Sequence, residues 1–215
     1  MYPYPLLNKN ITLFPIFWSV SSGKSTVVDY SCPDFLKVDS RNMRAMDAYN
    51  TQLLQESSAS WALWGYLEDR SHILTGTHIR EEWRVYHLGV DVLFPSGTSL
   101  YNPLDGEIYE SWYEPGDGNY GGYIIIKYTF GKDYFYALFW HLSPSSITKK
   151  LSLKQGEIFA HLWEPQENGN WFPHLHLQIF TGKDIDIWKN RGYCSAVDVP
   201  QMRYICPDPH FLIRY

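Results

Sequence analysis

Three short stretches hold residues whose types could do chemistry together. PHLHLQIF (Pro173–Phe180) sets His174 and His176 two residues apart, HLGVD (His87–Asp91) joins an imidazole to a carboxylate, and LFWHLS brings a hydrophobic run to His141. Imidazole and carboxylate together form a mixed nitrogen and oxygen set suited to Zn²⁺. Three such ligands leave a fourth position for water, which separates a catalytic zinc from a structural one. Chance supplies a His-x-His or a His-x-x-x-Asp readily in a chain with 8 histidines, so no one stretch carries the reading by itself.

The elements that must position these residues follow from local periodicity. Strand side chains alternate, so His174, His176 and Gln178 share one face while Leu175, Leu177 and Ile179 take the other. In a straight strand, residues four apart lie about 13 Å from one another, too far for His87 and Asp91 to meet at one ion. The chain must bend between them, and Gly89 is placed to let it. Asp91 then opens the run VDVLF, while WRVYH ends on His87 at the other side of the bend. One histidine of HLHLQIF completes a His, Asp, His set, and spacing alone leaves open which one. His141, at a strand end beside a loop, can reach into a cleft; alone it reads as structural.

The chain changes character near residue 80. Before that point Met43, Met46, Tyr49, Leu53 and Leu54 recur at helical spacing, which predicts one helix within Arg41–Trp64, with Asp39 or Ser40 as its N-cap. Beyond it lie the runs WRVY, VDVLF, EIYESWY, YIIIKYTF, DYFYALFW, EIFAHLW and HLHLQIF, parted by turn chemistry at PSG, LDG, EPGDGNYGG, FGKD, ENGN and TGK. The expected fold is mainly β: an antiparallel, sandwich-like sheet domain over residues 80–215, preceded by a lead-in with one helix over residues 1–79.

Composition limits the classes of function. The chain has 215 residues, 45% hydrophobic and 17% aromatic, enough for a substantial core. A formal charge of -5 with no Lys/Arg run argues against nucleic acid or an anionic membrane surface as main partner. No apolar run approaches the roughly 18 residues of a membrane span. ITLFPIFWSV (Ile11–Val20) imitates the apolar part of a secretory signal, but it carries Pro15 and lacks a small-x-small cleavage site. Cys32, Cys194 and Cys206 read as buried thiols, with a Cys194–Cys206 bridge as the alternative, and mildly favour a reducing compartment. The expected location is cytoplasmic, or exported without a recognisable signal. SSGKST ends like a phosphate-binding loop, but Trp18 stands where that motif needs glycine. His72, His78, His161 and His210 have no motif, and Trp112, Trp163 and Trp171 are expected in the core before a substrate groove.

Taken in order, His87-x-x-x-Asp91, His141-Leu142-Ser143 and His174-Leu175-His176 resemble the pattern of the lysostaphin/LytM-type zinc metallopeptidases. PSGTSLYNPLDGEI is similar to that family's segment after the Asp ligand, and GGYIIIKY to its strand before the second His motif. The resemblance covers at least Trp83 to Phe180. WGYLEDR upstream, and NGNWFPHLHLQ through CPDPHFLI downstream, are similar to the versions of this module fused to aminotransferase-like and phosphotransferase-like domains.

The resemblance implies Zn²⁺ held by His87, Asp91 and His176, with His141 and His174 as the catalytic histidines. It implies a zinc-dependent endopeptidase that hydrolyses short peptide or peptidoglycan cross-link amide bonds through a zinc-activated water. One of the two remaining imidazoles would stabilise the oxyanion or hand a proton to the departing amine. The alternative is a non-catalytic metal-binding scaffold that keeps the fold and acts on a partner protein; a third reading is hydrolysis of a different amide in the cytoplasm. Three departures bear on the substrate more than the metal. Phe139 stands where relatives often have Tyr, Gln178 where many have Glu, and EPQENGNWFP replaces a Gly-rich turn.

Overall fold

The computed structural model describes residues 11–18, 23–30, 32–116, 120–163, 171–182 and 185–213. The β-branched and aromatic runs form most of the strands that their patterns predict. One sheet is built from β1 (Ser25–Val28), β2 (Trp61–Trp64), β4 (Val90–Leu93), β6 (Gly106–Glu114), β7 (Gly121–Phe130), β8 (Asp133–Leu142), β9 (Ser152–Leu153) and β11 (Leu175–Thr181). Its order is β1-β2-β4-β11-β8-β7-β6-β9, and only the β1–β2 pair is parallel. Two small antiparallel pairs flank it: β5 (Ser99–Tyr101) with β10 (Ile158–His161), and β3 (Tyr86–His87) with β12 (Tyr193–Cys194). Three α-helices, α1 (Met43–Ser57), α2 (His78–Glu81) and α3 (Val199–Ile205), and three short 3₁₀ helices complete the described elements, and none is long and apolar enough to cross a membrane.

The sheet is covered on both faces. Val90, Val92, Ile124, Ile126, Phe139, Leu175, Leu177 and Ile179 are wholly buried in one core. Each such side chain contributes roughly 1.5–3 kcal/mol by leaving water. Tyr123, Ile125, Leu138, Trp140 and Phe180 fill a second core against α3, and Trp64, Leu93 and Met46 a third against α1. The face of β11 that carries Gln178 is therefore as buried as its apolar face.

Several expectations are corrected in detail. The helix ends at Ser57, where Ser58 turns left-handed with φ 51°, and Trp61–Trp64 continues as strand β2 instead. Asn42, rather than Asp39 or Ser40, caps its N-terminus, accepting from the backbone N–H groups of Arg44 and Ala45. Of WRVY, only Tyr86 joins a strand, because Trp83 takes φ 56°. The segment read as a lead-in supplies two strands of the main sheet, and β2 pairs directly with β4. Ile16 and Phe17 are buried in the main core, and Lys24 of the SSGKST stretch donates to the Ser57 carbonyl. All three cysteines are free thiols. Trp163 is core as expected, whereas Trp112 is 63% exposed. The ENGN turn, and parts of the EPGDGNYGG and TGK turns, lie outside the described residues.

Candidate metal centre

The sheet register brings the chemical residues into one row. Asp91 on β4 is the direct cross-strand partner of His176 on β11, with Trp64 of β2 beyond Asp91 and Trp140 of β8 beyond His176. Side chains opposite one another in a sheet share a face, so the carboxylate and the imidazole meet between two indole rings. His87 enters from β3 above this row. Its Nδ1 lies 3.2 Å from the Gly65 carbonyl oxygen, which can only accept, so Nδ1 carries the proton and Nε2 is left bare. His174, one residue before β11, donates from Nδ1 to the Phe172 carbonyl at 2.8 Å, which leaves its Nε2 bare 4.0 Å from Asp91 Oδ1.

Three atoms able to ligate a metal crowd one point. His87 Nε2 lies 2.9 Å from His176 Nδ1, His176 Nδ1 3.0 Å from Asp91 Oδ1, and His87 Nε2 3.4 Å from Asp91 Oδ1. Zinc bonds of about 2.0–2.1 Å at tetrahedral angles place neighbouring ligand atoms about 3.3 Å apart. The observed spacings bracket that value, so the donor set fits the ion. Without one, a single proton on His176 Nδ1 must serve two facing lone pairs. Among the described residues this is the one group of three or more His, Cys, Asp or Glu side chains able to hold a metal.

The chain bends at Gly89, between the end of β3 and the start of β4, and the glycine is needed there for a second reason. A Cβ there would lie 2.5 Å from the Leu177 carbonyl oxygen and 2.7 Å from His176 Cε1. The glycine is the gap that lets β11 and the His176 ring approach the His87–Asp91 turn.

His141 reaches the site by breaking the strand's alternation. Trp140 already points toward the His176 row, so period two would send His141 to the opposite face. Instead His141 takes φ 63°, and the β7–β8 register slips between Gly122 and Tyr123 beside it. Bulges of this kind re-aim side chains, and a non-glycine left-handed residue costs about 1–3 kcal/mol. The result is an imidazole with its ring centroid 4.2 Å from that of His174. Its Nδ1 is buried without a hydrogen-bond partner among the described residues.

Burial keeps His87, His141 and His174 neutral. Burial first, then the Arg70 charge, lowers His87 to a pKa of about 3. Burial likewise holds His141 well below the ordinary histidine range and lowers His174. Burial alone would raise the Asp91 carboxyl, but the adjacent His87 ring, the Arg70 guanidinium and the imidazole hydrogen bonds hold it well below the usual carboxylate range. A neutral His87 and an ionised Asp91 are the protonation states that a metal would need from them.

A cavity of about 50 Å³ adjoins the five residues, room for a few water molecules. Trp64, Arg70, Trp140, Trp171, Tyr120 and Tyr193 are among the residues that line the rest of its wall. All five sequence-predicted residues are thus brought together, each 5% exposed or less. Arg70, Tyr193 and the Gly65 carbonyl are additional members that no local pattern distinguishes.

Residues 85–187 match Peptidase family M23. No curated protein matches the chain. Among solved structures it is similar to a zinc-containing peptidase from Vibrio cholerae, with 23% identity over 54% of this chain and 31% of that one, TM-score 0.41. A putative M23 peptidase from Pseudomonas aeruginosa shows 19% identity over 59% of this chain and 43% of that one, TM-score 0.37. The catalytic domain of lysostaphin from Staphylococcus simulans shows 20% identity over 55% of this chain and 80% of that one, TM-score 0.40. The chain thus spans less than half the length of the first two proteins.

Proposed function

With residues 85–187 as an M23 peptidase domain, we propose that the chain is a zinc-dependent endopeptidase acting on short peptide or peptidoglycan cross-link amides. The observation that carries this reading is the convergence of His87 Nε2, Asp91 Oδ1 and His176 Nδ1 at 2.9–3.4 Å beside two imidazoles that the ion does not need. Bound by those three atoms, Zn²⁺ would supply Lewis acidity toward a carbonyl and make water easier to deprotonate at neutral pH.

The chain's own residues then have distinct tasks. Gly65, through its carbonyl, fixes the His87 tautomer; Gln178 Oε1, 3.5 Å from His176 Nε2, offers the acceptor that ring requires once Nδ1 is a ligand. His174 Nε2 is bare and unprotonated at neutral pH, so it is the atom placed to take a proton from water. His141, with its unpartnered Nδ1 beside the cavity, is placed to hydrogen-bond a substrate oxygen or to pass a proton to the leaving amine. The Trp64, Trp140 and Trp171 walls exclude bulk water and strengthen each of these interactions.

The near-complete burial of the site favours the second reading, a metal-binding scaffold without turnover; two neutral, non-ligand histidines favour hydrolysis. Digestion of peptidoglycan and of synthetic cross-link peptides by wild type and His174→Ala separates them. A hydrolase loses at least 100-fold in rate with His174→Ala while keeping its zinc. Zinc retained with no cleavage of any peptide by wild type supports the scaffold.

A further inference from the structure

We propose that Arg70, upstream of the segment that matches the family, is the positioning residue that divides the two oxygens of Asp91 between protein and metal. The inference rests on the zinc reading of the site. Arg70 Nη1 donates to Asp91 Oδ2 at 2.6 Å, while Oδ1 is the oxygen that faces His87 and His176. The guanidinium is itself held on three sides. Nε donates to Glu68 Oε2 at 3.1 Å, Nη1 lies 3.5 Å from the Tyr193 hydroxyl, and Cζ sits 4.6 Å from the Trp64 ring centroid. The backbone is fixed as well, since Arg70 N–H donates to the Val85 carbonyl and Asp69 bridges to Tyr86 of β3.

Stability does not account for this arrangement. Arg70 and Asp91 are 3% and 2% exposed, and an ion pair so buried roughly breaks even against apolar replacement. What the pair does is constrain geometry. A carboxylate with Oδ2 clamped can offer a metal one oxygen in one orientation; released, it can rotate or offer both. The guanidinium charge itself opposes a nearby cation, so two effects of opposite sign compete. Loss of partners that orient a ligand commonly weakens metal binding by about 10–100-fold, which puts geometry ahead of repulsion. The fork also matters: a lysine ammonium keeps the charge but cannot reach Asp91 and Glu68 with separate donors along fixed directions.

The test is the zinc dissociation constant of the full chain, measured by competition with a chromophoric chelator, with the Co²⁺ absorption spectrum as the second readout. Arg70→Gln should weaken zinc binding by about 10–100-fold and Arg70→Lys by less. Both should change the Co²⁺ bands, with circular dichroism of the apo protein unchanged. Glu68→Gln, which removes the charge of the outer tether and leaves it a neutral acceptor, should weaken binding several-fold and decides the matter if Arg70→Gln does not fold. Zinc binding by a folded Arg70→Gln that is unchanged or tighter, with unaltered Co²⁺ bands, overturns the proposal, as does Glu68→Gln with wild-type affinity when Arg70→Gln is unfolded. A wild-type chain that binds no zinc would instead remove the metal reading on which it rests.

Discussion

Asp91 and His176, 85 residues apart in sequence, are direct partners across β4 and β11, with Asp91 Oδ1 3.0 Å from His176 Nδ1. That pairing depends on Gly89, since a methyl group there would lie 2.5 Å from the Leu177 carbonyl oxygen and 2.7 Å from the His176 ring. Gly89→Ala must therefore push β11 away or turn the ring. We expect a destabilisation of about 1–3 kcal/mol in urea unfolding together with at least tenfold weaker zinc binding. A variant with wild-type stability and affinity would show that the close approach is unimportant.

His141 offers a separation of stability from activity. Its left-handed backbone and its unpartnered Nδ1 are both costs borne by the fold. His141→Gly removes both, so the variant should be as stable as wild type or more so by up to about 1 kcal/mol, while peptide hydrolysis falls by at least 100-fold. Thermal unfolding and cleavage rates on the same sample check this. A marked loss of stability would mean that the imidazole is there for packing.

Gln178 explains a departure from the resembled pattern. Its Nε2 donates to the Asn190 carbonyl at 2.8 Å and its Oε1 accepts from Gly192 N–H at 2.8 Å. Glutamate could keep the second bond but would set an acceptor against the Asn190 carbonyl in a position 0% exposed. Gln178→Glu should cost about 1–3 kcal/mol, read as a lower urea midpoint at neutral pH. Wild-type stability would show that the 190–192 loop does not depend on the amide.

The buried histidines predict how the metal-free protein responds to acid. Unfolded, each takes a proton near pH 6.5; folded, His87 does so only at about 3, and His141 and His174 are shifted in the same direction. The unfolded chain thus binds more protons between those limits. The stabilisation is complete above about pH 6.5 and is lost as pH falls toward 3. The lowered Asp91 pKa adds a loss of the same sign at the acid end. Urea midpoints of the chelator-treated protein should drop steadily from pH 7 to pH 5, and less steeply for His174→Ala. A flat profile in wild type would contradict neutral, buried imidazoles.

Much of the site was legible because its members sit in strongly patterned runs. HLHLQIF, VDVLF and LFWHLS announce their strands through alternation and aromatic content, and their order along the chain resembles a known family. What was not legible was made by tertiary structure. The run after α1 continues an apolar spacing that suits a helix, yet Trp61–Trp64 pairs with β1 and β4 and becomes a strand. Periodicity sends His141 to the wrong face, since only the slip opposite Gly122 re-aims it. Arg70 lies in WGYLEDR, where nothing about its neighbours indicates a carboxylate 21 residues away. The bend at Gly89 is legible from the HLGVD spacing, whereas the contact that forbids a side chain there comes from β11, far along the chain.

The central claim is that His87, Asp91 and His176 together hold one metal ion. The most direct measurement is the zinc content per chain of wild type and His176→Ala, each supplied with zinc, freed of excess by gel filtration and analysed by mass spectrometry for the element. About one zinc per wild-type chain is expected, and almost none in a folded His176→Ala. A wild-type chain without zinc, or a His176→Ala chain that retains a full equivalent, would contradict it.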